Sequence, residues 1–181
     1  MRVPKLESAR LMLREYERDD LSRAFLLWSH PTVVQFIGGQ PNDLQQCWSR
    51  LLRFRGMWDL MGFGYWAVVE KSSGLYIGDV GFADFMRGVA PTFDGVPELG
   101  WALMPSHHGK GFATEAVQIA LDWADQNFTA ITGRSRSVCM IDPTNIPSLR
   151  VASKCGYAEY ARAIVGDAPT ILFERENTGA N

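Results

Sequence analysis

Gly109, Lys110 and Gly111, followed by Phe112, Ala113 and Thr114, are the residues of this chain best suited to hold a ligand. Glycines let an anion approach the backbone and adopt turn conformations that other residues rarely reach. Behind them Ala113, Ala116, Val117, Ala120, Leu121, Ala124 and Phe128 keep the i, i+3, i+4, i+7 spacing of a helix. Ahead of them the apolar run Leu99 to Met104, stopped by Pro105, reads as a buried strand. A strand, a glycine turn and a helix start together form an anion site. The first helical amides lack intrahelical partners and the helix dipole favours negative charge, so the expected ligand carries a phosphate. Two common phosphate loops do not fit. A Walker-A loop needs Ser or Thr directly after Gly-Lys, but Gly111 stands there, and Met104 takes the place of its first glycine. The dinucleotide fingerprint needs a third glycine where Thr114 stands, and it opens its domain instead of lying past the middle.

The elements that must position this turn follow from the rest of the chain. Leu11 and Leu13 alternate with Met12 and Arg14 as a first strand. Asp19-Asp20 is the expected cap of a helix whose inner face is Leu21, Ala24, Phe25, Leu27 and Trp28 and which stops before Pro31. A helical turn is expected over Thr32 to Phe36. Asn42 or Asp43 caps a longer helix through Cys47, Trp48, Leu51 and Trp58 that closes at Gly62 and Gly64. Tyr65 to Lys71 and Tyr76 to Phe82 read as a hairpin, and Arg87 to Pro97 as an aperiodic loop. After the central helix, Thr129 to Ser135 reads as a crossover turn and Val138 to Ile141 as a strand parallel to Leu99–Met104. Asn145 or Thr144 caps a helix that Gly156 ends. Tyr157 to Val165 and Ile171 to Arg175 form a last hairpin, and about residues 176–181 read as a disordered tail. The fold class is therefore α/β (α+β), a mixed and mostly antiparallel sheet with a central parallel strand pair, flanked by helices.

Composition narrows the function. A chain of 181 residues reads as one domain able to bury about 70% of its unfolded surface. A net charge of −2 and a pI near 5.9 argue against a nucleic-acid binder. No run approaches a membrane span and the N-terminus shows no apolar signal core, so neither a membrane nor export is expected. Cys47, Cys139 and Cys155 are odd in number and unpaired in spacing, which fits reduced thiols and a cytoplasmic location. No metal site is expected, because adjacent His107 and His108 would point apart on a strand and no Cys/His pair has ligand spacing.

The string His108-Gly109-Lys110-Gly111-Phe112-Ala113 resembles the acetyl-CoA loop of the GNAT acyltransferases, Gln/Arg-x-x-Gly-x-Gly/Ala. Gly-Lys-Gly-Phe-Ala-Thr-Glu-Ala is similar to the RimJ/RimL branch, whose members acetylate protein N-termini and other amines. His108 departs from the Gln, Arg or Trp usual at the first position. A second segment, Asn145-Ile146-Pro147-Ser148 through Lys154-Cys155-Gly156-Tyr157, resembles the branch's Asn-x-x-Ser…Lys-x-Gly-Phe/Tyr. The order of elements matches as well, so the resemblance covers nearly the whole chain and makes 1–181 a single acyl-CoA N-acyltransferase domain.

The resemblance implies acetyl-CoA as cofactor, a primary amine as acceptor, direct transfer without a covalent enzyme intermediate, and a monomer or homodimer. It implies that the two parallel strands splay and that pantetheine pairs with the first of them, through Leu99, Trp101, Ala102 and Leu103. It places the phosphates on His108, Gly109, Lys110, Gly111, Phe112, Ala113 and Thr114, with Asn145 and Ser148 beside the thioester. Glu98, at the start of the first parallel strand, is the candidate base, and a carboxylate on a sheet rim is the bland alternative. Ser148 is the candidate hydrogen-bond donor to the leaving thiolate, and helix capping its alternative. Lys110, Arg150 and Lys154 either touch nucleotide phosphates or are merely solvated. Cys139 is read as inert, as buried thiols are. A non-catalytic acyl-CoA-binding regulator remains the alternative of another class, and a nucleotide phosphotransferase lacks the spacing it needs.

Overall fold

The computed structural model describes residues 2–178. In chain order the elements are β1 (Leu6–Glu7), β2 (Leu11–Arg14), α1 (Leu21–Trp28), α2 (Pro31–Val34), α3 (Leu44–Met61), β3 (Tyr65–Glu70), β4 (Leu75–Ala83), β5 (Glu98–Leu103), α4 (Phe112–Thr132), β6 (Arg136–Ile141), α5 (Ile146–Lys154), β7 (Ala158–Val165) and β8 (Ala168–Glu176). Strand neighbours run β1-β2-β3-β4-β5-β6-β8-β7. Pairing is antiparallel in β1–β2, β2–β3, β3–β4, β6–β8 and β7–β8, and parallel in β5–β6, as expected of the mixed sheet. The chain divides into two compact units, Met1–Gly81 with Gly100–Ala120, and Phe82–Leu99 with Leu121–Asn181.

In the first unit α3 starts with a reciprocal cap. Gln46 N–H donates to Asp43 Oδ1 at 2.8 Å and Asp43 N–H to Gln46 Oε1 at 2.9 Å. Its inner face buries Cys47, Leu51, Phe54, Met57 and Trp58, with Phe54 stacked on Tyr65 at 4.1 Å between ring centroids. β5 comes close to β4 because residue 78 is glycine: a Cβ there would collide with the Ala102 carbonyl oxygen. Asp20, expected as a helix cap, makes no cap bond to α1; its carboxylate accepts the Glu17 N–H at 2.8 Å in a reciprocal cap of the 3-10 turn just before α1, and two bonds from the Arg14 guanidinium, both at 2.7 Å.

The first unit also buries a charge. Asp79 on β4 is 1% exposed, and three donors converge on it: Tyr16 Oη at 2.7 Å, Tyr76 Oη at 2.6 Å and Trp28 Nε1 at 2.7 Å. Burial pushes its pKa up from the ordinary 3.8 to about 6, against the three donors, which pull it down. Tyr16 Oη also lies 3.1 Å from Trp66 O, so it can donate there and accept from a protonated Asp79. The folded chain thus holds this proton more tightly than the unfolded one. The contribution of Asp79 is fully present below about pH 4 and lost as pH rises through about 6, on the order of 3 kcal/mol. Asparagine keeps the shape without the proton, turning its carbonyl to Trp28 and its amide to the tyrosines. Asp79→Asn should therefore remove this segment of pH dependence. Urea midpoints between pH 4 and 7 check it, and a variant curve parallel to the parent's rules it out.

In the second unit Phe82 meets Phe128 edge-on at 4.7 Å between centroids, and Thr132 Oγ1 donates to Phe128 O at 2.9 Å. This contact extends α4 to Thr132, past the turn expected from Thr129; a fully buried Phe128 outweighs the weak helix propensity of the threonines around it. Parallel pairing joins β5 and β6 at Glu98↔Val138, where Val138 N–H donates to Pro97 O at 3.0 Å. Phe93, Val96, Val138 and Leu172 form a buried cluster here. Arg175 holds Asp125 through two bonds at 2.7 and 2.8 Å, and Thr178 Oγ1 donates to the same carboxylate at 2.6 Å. The expected tail is thus ordered through Glu176, which ends β8, and Thr178; residues 179–181 lie outside the described ones.

Candidate functional site

The cradle belongs to the first unit. After β5 the chain makes a short 3-10 turn, Pro105–His107, and His108 follows in extended conformation. His108 Nε2 lies 2.8 Å from Leu103 O, and because a carbonyl only accepts, that nitrogen carries the proton. Gly109 and Gly111 then take φ of 73° and 81°, the left-handed region that favours glycine. Glu115 N–H closes onto Gly111 O at 3.1 Å, which sets the first turn of α4. The amides ahead of it fall where a helix start leaves donors without intrahelical acceptors.

Whether this turn fits a phosphate is tested by its glycines. A Cβ on Gly109 would meet nothing within 4 Å, and one on Gly111 only Arg10 Nη2 at 3.5 Å. Crowding by the protein therefore does not demand glycine at either position. The backbone conformation does, and the space beside it is open. His108, Gly109, Lys110 and Gly111 are exposed, whereas the Phe112 ring is buried against His107 at 5.7 Å. Ala102 and Leu103 are buried and Trp101 half-buried on the strand that leads in.

Glu98, Leu99, Asn145 and Ser148 belong to the second unit. Glu98 is 6% exposed, and both carboxylate oxygens are engaged by one guanidinium: Arg87 Nε donates to Oε2 at 2.6 Å and Nη2 to Oε1 at 2.7 Å. Arg87 in turn lies over the Phe85 ring at 4.6 Å. Burial and the nearby Glu98 carboxylate push the Cys139 thiol well up, so it stays protonated and a poor nucleophile. Asn145 caps α5 by accepting from Ser148 N–H at 3.2 Å, with both residues half-buried. Arg150 and Lys154 are exposed on α5. Sequence reasoning missed Arg87, which sits in an aperiodic loop, and it missed Arg10 and Glu115, which meet beside the glycine turn. Among the described residues no group of three His, Cys, Asp or Glu could hold a metal ion, and no helix is long and apolar enough to cross a membrane.

Comparison with known proteins bears on the family and the fold. The family model described as Acetyltransferase (GNAT) domain matches residues 10–158. The chain is 28% identical over 154 residues to the uncharacterized N-acetyltransferase p20 of Bacillus licheniformis, covering 84% of this chain and 81% of that protein. A solved GnaT-family acetyltransferase from Bordetella pertussis superposes with a TM-score of 0.80 at 31% identity, over 96% of this chain and 99% of that one. A spermidine N-acetyltransferase from Vibrio cholerae, solved with CoA and spermine, shares the fold with a TM-score of 0.71 at 17% identity, over 94% and 98% of the two chains.

Proposed function

This chain belongs to the GNAT acetyltransferase family, and from that premise we propose that it is an acetyl-CoA-dependent N-acetyltransferase of RimJ/RimL type acting on a primary amine. The observation that carries the reading is the pair of left-handed glycines, Gly109 and Gly111, opening onto free space at the start of α4. Backbone amides from Gly109 to Thr114 would hold the pyrophosphate there. Acetyl-CoA supplies the acetyl group as a thioester, a form activated towards amines.

Glu98 takes the proton that the amine nitrogen loses as its lone pair forms the new N–C bond. Ser148 donates a hydrogen bond to the sulfur, which departs with the electrons of the C–S bond. A carboxylate offers about four acceptor positions, so the two bonds from Arg87 leave room for an amine or a water. A peptide α-amine (pKa ~7.8) is already partly neutral at pH 7 and so suits a single carboxylate base better than lysine (~10.4).

Ser148→Ala should lower turnover by roughly 10–150-fold, the scale of one hydrogen bond to a charged group. Cofactor affinity should hold, since Asn145 still caps α5 by accepting a backbone N–H. A loss seen in melting temperature and not in rate would make Ser148 structural.

The engaged state of Glu98 also favours a second reading, a regulator that binds acyl-CoA without turnover. Thiol release from acetyl-CoA, assayed with a peptide α-amine, a polyamine and a lysine side chain, separates the two. The enzyme reading expects release with the α-amine first. CoA binding without release for any amine supports the regulator.

A further inference from the structure

Arg10 lies just ahead of β2, far in sequence from the glycine turn, yet its contacts end on it. Its Nη1 donates to Lys110 O at 3.0 Å, its Nε to Glu115 Oε2 at 2.6 Å, and its guanidinium lies 4.3 Å from the centre of the Phe112 ring. Glu115, in the first turn of α4, also accepts from the Arg10 backbone N–H at 3.1 Å and from Ser8 Oγ at 2.7 Å. The carboxylate therefore fixes the guanidinium, and the guanidinium fixes one carbonyl of the turn.

A trans peptide is planar, with its C=O and N–H pointing in opposite directions. Holding Lys110 O towards Arg10 therefore turns the Gly111 N–H away from Arg10. Glycines stand on both sides of Lys110, both at positive φ, and a Cβ on either would meet no atom within 4 Å except Arg10 Nη2 at Gly111, so side-chain packing does not fix that peptide. We propose that Arg10 is a positioning residue for the phosphate cradle: anchored by Glu115, it locks the Lys110–Gly111 peptide so that its amide is aimed at a pyrophosphate before the ligand arrives. This rests on the acetyl-CoA reading above. A ligand without a pyrophosphate should not sense the lock.

The test measures the affinities of CoA and of pantetheine by calorimetry, with melting temperatures alongside, for the parent, Arg10→Lys, Arg10→Met and Glu115→Gln. Lysine keeps the charge but cannot bridge Lys110 O and Glu115 while stacking on Phe112. CoA affinity should fall about 10- to 100-fold in both Arg10 variants, the range of one charge-assisted hydrogen bond, with pantetheine affinity unchanged. Glu115→Gln should show a smaller loss of the same kind. CoA affinity retained in a folded Arg10→Lys protein overturns the lock and leaves the cofactor assignment intact. Equal losses for CoA and pantetheine overturn it as general damage to the fold. A parent protein that binds both ligands equally overturns the cradle itself, and the inference with it.

Discussion

Gly111→Val is expected to abolish CoA binding in a protein that still folds. The reason is backbone conformation, not space. A Cβ at position 111 would sit 3.5 Å from Arg10 Nη2, an ordinary contact, but φ there is 81°. A β-branched residue tolerates that region poorly, at a cost of about 1–3 kcal/mol while the turn is kept, against the 5–15 kcal/mol that typically holds a domain together. The chain can relieve the strain by turning the peptides on either side. Those are the peptides that carry Lys110 O to Arg10 and accept the Glu115 N–H, so relief re-aims the cradle donors and loosens the first turn of α4. Two methyl groups would also stand where a phosphate must approach the backbone. Affinity should drop by more than about 100-fold, beyond what loss of a single charge-assisted hydrogen bond explains. Gly111→Ala, with less bulk, should fall between. Calorimetry that finds undiminished CoA affinity in a folded Gly111→Val protein removes the phosphate assignment.

The features legible in sequence are those whose signals are local. The glycine turn and α4 announce themselves because spacing and composition act within a few residues, and so do the β3–β4 hairpin and the Asp43 cap of α3. What stayed hidden depends on partners far along the chain. Glu98 stands out at a strand start, but nothing in the aperiodic loop marks Arg87 as the residue that will engage both of its oxygens. Arg10 and Glu115 lie 105 residues apart, and each looks like an ordinary surface charge until the fold joins them. Asp20 fits a capping pattern and does accept the Glu17 N–H, but nothing in that pattern marks Arg14 as the residue that will engage both of its oxygens. Asp79 did leave a trace, a lone carboxylate within the apolar run of β4, but only the fold brings Tyr16, Trp28 and Tyr76 to it.

Glu98→Gln is expected to lower turnover by about 10²–10⁴-fold, the usual scale for a positioned base. Acetyl-CoA affinity should change little, because the cradle belongs to other residues. Glutamine matches glutamate in shape and keeps one acceptor for Arg87, but it sets an amide N–H against the second guanidinium donor. Some stability is therefore lost, about 1–3 kcal/mol for the mismatched bond, and less to the extent that water reaches Arg87, whose side chain is 32% exposed. Rates must accordingly be read at a temperature where the variant is folded. The loss should shrink for acceptors of lower pKa, which need less help in shedding a proton. Arg87→Met supplies the complementary test. Removing the guanidinium leaves a buried carboxylate with neither oxygen held in place. Turnover should fall as the base loses its orientation, with acetyl-CoA affinity little changed. A merely structural Arg87–Glu98 pair would lower the melting temperature in both variants and leave turnover of the folded protein where it was. Near-parental turnover in both variants would assign the proton to water and leave the pair a structural task.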